Sequence, residues 1–406
     1  MVGNLKRDQK DLLVHVIGKE LKIQDVRLVR SDYLQATGVF LLSRVFLYLM
    51  VYFGLVHYPN AVDVVHTPVF SEFFQDTMRI MCNFDCKWFV DIAVNGYQAA
   101  PDNLTTGHAA NWAFLPAFPL LGRYLAMGLG LDVLTAFYLI ANVSFFVALL
   151  LWLKFLKFYR FTPANRSFAL FFLCFLPYGT YYLSPYTESL FLALSLGAFI
   201  NAYQGRFILA ALCAMGMTAT KNIGVMFVFP LIIIAWQQLG LKELFNIKSP
   251  KTWTLALAIM LIPLPLFGYQ NFLFEQVGDA MAFKNIQLAW GRELDNPFEY
   301  IYEALNTDNY KFYFACVCIL GLIMSLYLLY KKRLAEAVFL LLGIMIPVST
   351  GINAVPRYIF GLVPALLAIV YITDRHPWLR NFVLATGAAL SVYFAIAWGH
   401  GMFFTI

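Results

Sequence analysis

The chain is 406 residues long, 61% hydrophobic and 17% aromatic, and Asp, Glu, Lys and Arg make up only 13% of it, against roughly 25% in a soluble domain. Apolar runs of this density cross roughly 30 Å of hydrocarbon as helices, which excludes a water-soluble globule, a transmembrane barrel, a nucleic-acid binder and an extracellular disulfide scaffold. The net charge of +6 is an orientation signal, because membrane proteins concentrate Lys and Arg in cytoplasmic loops.

Residues 1–35 are polar and mixed in charge and lack the apolar core and cleavage site of a signal peptide, so they read as a cytoplasmic N-terminal segment. Residues 36–406 read as a single transmembrane domain. A first span covers about 36–57, and the polar stretch His57 to Ala110 falls on the outer face. Trp112 to Gly130 is apolar but carries Pro116, Pro119 and Arg123. If it crossed, Lys154, Lys157, Arg160 and Arg166 would lie outside, so it is expected to be re-entrant or interfacial. Further spans follow at about 133–155, 166–184, 187–203, 206–220, 223–238 and 252–271. After an outer loop at 272–310 come spans near 311–330, 334–350, 357–373 and 379–398. Arg206, then Lys242, Lys248 and Lys251, then Lys331, Lys332 and Arg333, then Arg375 and Arg380 all fall at inside turns. The expected fold is an all-α polytopic membrane protein of about eleven spans, N-terminus in and C-terminus out, with outer loops 58–132 and 272–310 forming one functional face.

Polar residues that the basic inside loops do not explain collect on that face. They are Asp85, Lys87, Asp91, His108 and Asn111; Ser184, Tyr186 and Glu188; Lys221 and Asn222; Gln287, Trp290 and Arg292; and Asn353 and Arg357. Ionisable groups at membrane depth are costly and line a site or a cavity. Phe84 to Tyr97 puts Trp88, Phe89, Ile92, Ala93 and Tyr97 at helical spacing, with Lys87, Asp91 and Asn95 on another face, the pattern of an amphipathic interfacial helix. Asp85 then stands at the N-cap. Two readings stay open for it, a cap on backbone N–H groups or a carboxylate that takes a proton from an acceptor hydroxyl. Cys82 and Cys86 flank Asp85 at i,i+4 spacing, either bonded or as free thiols. Glu188 is either a helix-start acid or a substrate contact, and Lys221 either snorkels or meets a phosphate. Arg357, at a span terminus, either anchors to headgroups or forks onto a substrate phosphate; that position promises more rigidity than the long loop gives Arg292. Arg44, inside the first span, is expected to be paired internally. The histidines are scattered, and neither a metal-binding spacing nor a Walker loop is present.

At these residues the chain resembles a known family. Residues 84–97, Phe-Asp-Cys-Lys-Trp-Phe-Val-Asp-Ile-Ala-Val-Asn-Gly-Tyr, are similar to the W-D-x-x-W/F-x-x-I-A-x-x-G-Y segment of the GPI mannosyltransferase II (PIG-V) family and its prokaryotic relatives. Trp112 to Pro119 resembles that family's F-F-P-L-x-P stretch, Ser184 to Phe191 its S-P-Y-x-E-S-L-F, and Thr220 to Gly224 its T-R-x-N-G. Order and spacing agree across roughly 36–373; Phe84 replaces the usual Trp and Lys221 the usual Arg. The resemblance implies a GT-C glycosyltransferase fold with interfacial juxtamembrane helices, a polyprenyl- or dolichyl-phosphate sugar donor, typically of mannose, and a glycan or glycolipid acceptor. It further implies an inverting displacement at the outer or lumenal face with Asp85 as base, without cofactor or divalent metal. A lipid or sugar transporter is the rival reading, since broken helices and polar groups at membrane depth also mark transport pathways.

The topology is open to test by cysteine-accessibility labelling in a background without native cysteines. A single cysteine at position 102 is expected to react with an impermeant maleimide from the outer face, and one at position 332 only from the cytoplasm. The opposite pattern would reverse the orientation.

Overall fold

The computed structural model describes residues 26–57, 73–101 and 109–405, and within these every regular element is helical. Helix α1 (Arg30–His57) is followed by α2 (Phe73–Met81), α3 (Asp85–Asn95), a one-turn 3-10 segment at Asn111–Ala113 and α4 (Ala117–Leu129). Then come α5 (Val133–Phe158), α6 (Pro163–Cys174), α7 (Thr180–Leu183), α8 (Glu188–Tyr203), α9 (Phe207–Thr220), a 3-10 stretch at Asn222–Phe227 leading into α10 (Val228–Leu244), α11 (Pro250–Leu261) and α12 (Leu264–Val277). After α13 (Ala282–Asn285), a 3-10 turn at Ile286–Trp290 and α14 (Pro297–Leu305), the chain continues through α15 (Tyr310–Tyr330), α16 (Leu334–Val348), α17 (Val355–Phe360), α18 (Val363–Thr373) and α19 (Pro377–Gly399).

Six of these stretches are long and apolar enough to cross a membrane: Arg30–Val56, Val133–Phe158, Asn222–Leu244, Pro250–Val277, Tyr310–Tyr330 and Pro377–Gly399. Shorter apolar helices, α8, α9, α16 and α18, pack among them. The protein is therefore an all-α polytopic membrane protein. Helix α4 has 13 residues, about 20 Å of helix, too short to cross, and it exposes Leu121, Tyr124 and Met127 as a segment lying against lipid would. The expected boundaries need correction in three places. Helix α1 begins at Arg30, so the border between residues 35 and 36 falls inside it. The span expected at 166–184 is broken after Cys174, where Pro177 and Gly179 interrupt the pattern and the residue before a proline disfavours helix. The span expected at 357–373 is two helices, parted at Gly361 and Leu362 ahead of Pro364.

Helices α8 and α9 form a tight hairpin that sets the level of the site. Their 16 and 14 residues rise about 24 and 21 Å, and Gly205 makes the turn at φ 69°. Out and back are nearly equal, so Glu188 at the start of α8 meets Lys221 at the end of α9. At the opposite end of α8 lies a second polar layer. There Glu336, fully buried, accepts from the hydroxyls of Tyr159 and Tyr203, and Arg333 Nε donates to the Tyr371 hydroxyl at 2.9 Å. Lys157 pairs with Asp32, and Asn165 bonds both Asp374 and Arg380. These contacts knit α1, α5, α6, α8, α16, α18 and α19 together at the end where the basic turns collect. The C-terminal end of α19 returns to the other end, where Trp398 touches the loop before α3.

Gly224 lies where the 3-10 stretch after Lys221 presses on α9. A Cβ there would stand 2.3 Å from the Met217 carbonyl carbon and 2.4 Å from the Thr218 nitrogen, whereas one at Gly128 would meet open space. Backbone cannot yield as a flexible side chain can, so Gly224→Ala is expected to cost about 1–3 kcal/mol and to lower the unfolding midpoint in detergent by scanning fluorimetry, with Gly128→Ala at wild type. Equal midpoints for the two variants would contradict this packing.

Candidate functional site

Arg357 is the centre around which four segments of chain meet. It is 8% exposed, on the short helix α17, whose cap residue Ala354 adopts a left-handed backbone at φ 64°. Its Nη1 donates to Asp85 Oδ2 at 2.7 Å. Its Nε lies 3.4 Å from Glu188 Oε1, an electrostatic contact that lacks hydrogen-bond geometry. Lys221 Nζ donates to the same Glu188 oxygen at 2.8 Å. The result is a continuous chain, Asp85–Arg357–Glu188–Lys221, and buried charges persist only when paired in this way. The guanidinium also sits over the rings of Tyr181 at 5.2 Å, Tyr358 at 5.2 Å and Tyr186 at 5.8 Å, an aromatic surround that attracts a cation as it excludes water.

The two carboxylates are not equivalent. Glu188 is 2% exposed, its Oε1 is shared by both cations and its Oε2 accepts from Thr187 Oγ1 at 3.3 Å. It is a structural counter-charge. Asp85 is 24% exposed, and among the described residues its Oδ1 has no hydrogen-bond partner. Asp85 is also not a helix cap: α3 starts with Asp85 itself, the cap residue is Phe84, and no side chain caps the helix. Sequence spacing could not separate these roles, and the structure gives the carboxylate to Arg357.

The turn that presents Asp85 is tightly held. Phe84 has φ 49°, Cys82 is bonded to Cys86, and the Tyr186 hydroxyl donates to the Asn83 carbonyl at 2.6 Å while accepting from the Asp85 N–H at 3.0 Å. Asn83 Nδ2 donates to the Trp398 carbonyl at 2.7 Å, and Trp398 Nε1 to the Met81 carbonyl at 3.1 Å. Strained backbone of this kind gathers at functional sites, where surrounding contacts over-determine it.

Arg292 completes the site from the loop after α12. Its Nη2 donates to the Asn353 carbonyl at 2.7 Å, the Asp295 N–H donates to the Ser349 carbonyl at 2.8 Å, and the guanidinium lies 5.8 Å over the Tyr358 ring. The long loop is thus fixed here, against the expectation that a span end would hold its arginine better. Three cations, Lys221, Arg292 and Arg357, face Tyr358 against two carboxylates, and among the described residues Arg292 is the cation of the three that pairs with no acid.

The other expected residues divide. Asp91 accepts from Asn111 at 2.7 Å and from Asn95 at 2.8 Å, and Asn111 exchanges hydrogen bonds with Gln98. Asp91 therefore pins the chain after α3. Trp290 packs edge-on to Trp88 at 5.8 Å, and Trp88 stacks on Phe114 at 6.1 Å, forming a half-buried aromatic wall one helical turn from Asp85; Gln287 belongs to the same 3-10 turn as Trp290. Lys87 and Asn222 are exposed. His108 lies outside the described residues. Arg44 is internal as expected, donating to the Tyr182 carbonyl at 2.8 Å and lying 4.6 Å over Phe145. Sequence reading missed Tyr181, Tyr358, Trp88, Phe114, Asn83 and Trp398 as parts of this site. Tyr358 adjoins Arg357 and could have been suspected on that ground, while nothing local to Trp398 ties it to a loop more than 300 residues earlier.

No family model matches the sequence, and no curated protein matches it. Among solved structures the chain is similar to the Archaeoglobus fulgidus oligosaccharyltransferase, in its complex with zinc and sulfate at 13% identity and a TM-score of 0.43 over 89% of this chain and 53% of that one. The apo form of that oligosaccharyltransferase gives 14% identity and a TM-score of 0.39 over 90% and 55%. The chain thus spans about half the length of these solved proteins.

The asymmetry of the carboxylates has a measurable consequence. Glu188→Ala leaves two enclosed cations to share one remaining acid, and removing one partner of a buried ion pair costs about 3–5 kcal/mol. Asp85→Asn keeps shape at a half-open position and is expected to unfold within about 1 kcal/mol of wild type. Denaturant unfolding of the two variants in detergent checks the contrast, and equal losses would refute it.

Proposed function

We propose that this protein is a membrane glycosyltransferase of the GT-C type, which moves a sugar, mannose first among the candidates, from a polyprenyl- or dolichyl-phosphate donor to a hydroxyl of a glycan or glycolipid acceptor. The observation that carries the reading is the ion-pair chain itself. Asp85, Glu188, Lys221 and Arg357 come from segments far apart in sequence, three of them from motifs through which the chain resembles the GPI mannosyltransferase II (PIG-V) family, and they converge on one half-open carboxylate. A transporter has no need of a carboxylate held rigidly against a guanidinium with its second oxygen unpartnered among the described residues.

In the proposed reaction the acceptor oxygen attacks the anomeric carbon as the bond from that carbon to the phosphate oxygen breaks. The lipid phosphate leaves with the bonding pair, and the acceptor proton passes to Asp85 Oδ1. Attack from the face opposite the leaving group inverts the configuration. Arg357 orients Asp85, and it is already engaged by two carboxylates. Arg292 is therefore the first cation for the donor phosphate and Lys221 the second, a more open guanidinium being suited to a phosphate fork. The site is proposed to face the outer or lumenal side. Supporting this, a cystine at Cys82 and Cys86 persists in oxidising compartments, and the basic turns collect at the opposite end of the bundle.

Transfer of radiolabel from polyprenyl-phosphate mannose into a membrane glycolipid extract by the purified protein in detergent tests the reading, since a transporter performs no chemistry there. Asp85→Asn is expected to reduce transfer by about 10²- to 10⁴-fold, the usual contribution of a positioned base, whereas Asp91→Asn retains turnover. Arg292→Ala is expected to raise the donor KM about tenfold or more, the loss of one charge-assisted contact, with less effect on acceptor dependence. A fully active Asp85→Asn protein would remove the assigned base.

A further inference from the structure

We propose that the cystine Cys82–Cys86 is the positioning element of Asp85: the covalent ring holds the carboxylate on Arg357, and opening it disarms the site without dismantling the bundle. This rests on the glycosyltransferase reading for the role of Asp85, but the geometry concerned needs no substrate.

The ring encloses Asn83, Phe84 and Asp85 and joins the end of α2 to the first turn of α3, with the two cysteine Cα atoms 5.1 Å apart. Each enclosed residue faces a different part of the site. Asn83 holds the Trp398 carbonyl and receives the Tyr186 hydroxyl, Phe84 lies edge-on to Trp398 at 5.4 Å, and Asp85 reaches Arg357. Phe84 stands at φ 49°, ψ −115°. An aromatic residue keeps a positive φ only where its surroundings leave no alternative, and the disulfide is the covalent constraint across this turn. With the S–S bond gone, only the non-covalent contacts to Tyr186 and Trp398 oppose the return of Phe84 to negative φ, and that return rotates the start of α3 and draws Asp85 Oδ2 away from Arg357. Glu188 and Lys221 sit on α8 and the end of α9, outside the ring, and keep their pairing.

The chemistry of opening and closing is thiol–disulfide exchange. Cys86 is buried while Cys82 is partly exposed, so an incoming thiolate bonds to Cys82 Sγ and the S–S pair of electrons goes to Cys86 Sγ, which takes a proton. The second thiol of a dithiol reagent then displaces Cys82 as thiol, leaving the reagent as a disulfide. Closure is the reverse, with an oxidised dithiol carrier or a small-molecule disulfide accepting the two electrons. The cysteines at 174, 213, 316 and 318 are free and offer no second disulfide among the described residues.

The test uses the full-length protein in detergent with dithiothreitol and three readouts. Peptide mass spectrometry reports the state of the cystine, hydrogen–deuterium exchange reports the first turn of α3, and label transfer from polyprenyl-phosphate mannose reports the site. Reduction is expected to speed exchange in the first turn of α3 about tenfold or more with α8 and α9 unchanged, and to lower kcat about 10²-fold, the scale of a 1 Å misplacement. The donor KM is expected to stay within about twofold, because Arg292 and Lys221 lie outside the ring. Oxidised glutathione is expected to restore both readouts, and the Cys82→Ser, Cys86→Ser double variant to match the reduced protein and ignore dithiothreitol. Unchanged exchange at the start of α3 on reduction overturns the proposal whether or not transfer is seen, as does full turnover by the double variant. Reduction-sensitive exchange in a protein that transfers no label in any state sustains the positioning of Asp85 and removes the glycosyltransferase reading instead.

Discussion

A guanidinium buried at the edge of a membrane bundle must have its charge met, and this requirement organises the whole functional end of the molecule. Removing an ion from water costs several kcal/mol even after relaxation, so Arg357 at 8% exposure is tolerable only because Asp85, Glu188 and three tyrosine rings converge on it. Convergence in turn dictates backbone. Helix α17 has to stop after six residues, α7 after four, and α8 has to begin at Glu188. Proline and glycine at these breaks make the interruptions inexpensive. The freed backbone groups then face protein partners, as when the Tyr182 carbonyl receives both Arg44 and Ser189.

The same constraint separates the two carboxylates. Glu188, enclosed and doubly paired, fixes the hairpin of α8 and α9 to α17 and is best understood as part of the scaffold. Asp85 shares the arginine but stands at the half-open first turn of α3, where one of its oxygens is held and the other has no hydrogen-bond partner among the described residues. A base needs both properties, a fixed position and a free lone pair. Placing one carboxylate deep and the other at a half-open position lets a single arginine serve both.

The two polar layers at opposite ends of α8 also differ in kind. The layer around Glu336 is built from tyrosine hydroxyls and an arginine stacked 4.4 Å over Tyr159, and with the neighbouring pairs of Lys157 and Asn165 it ties seven helices together. The layer around Arg357 is asymmetric in charge, bounded by positive-φ residues at Phe84 and Ala354, and roofed by α3 and the loops that bring Phe114 and Trp290 to Trp88 as an aromatic wall.

Much of this was legible in the chain because the signals are local. Hydropathy over a window of about twenty residues reports whether a segment is long and apolar enough to cross, and that alone set the helical class and the six long apolar helices. Charge bias placed the basic turns at one end and the unexplained polar residues at the other, so Asp85, Glu188, Lys221, Arg292 and Arg357 were grouped before any contact was known. Tertiary structure alone decided how they pair. Asp85 and Arg357 are 272 residues apart, and no periodicity links them; at such separation an acid capping its own helix and an acid bound to a distant arginine have the same local sequence. Nor could spacing tell that Asp91 is spent on Asn111, that the cysteines beside Asp85 are joined, or that Trp398 near the chain's end braces the Asp85 turn. Burial by neighbouring helices determines what each side chain must do to satisfy its charge, and burial is a property of the packed bundle, not of any segment within it.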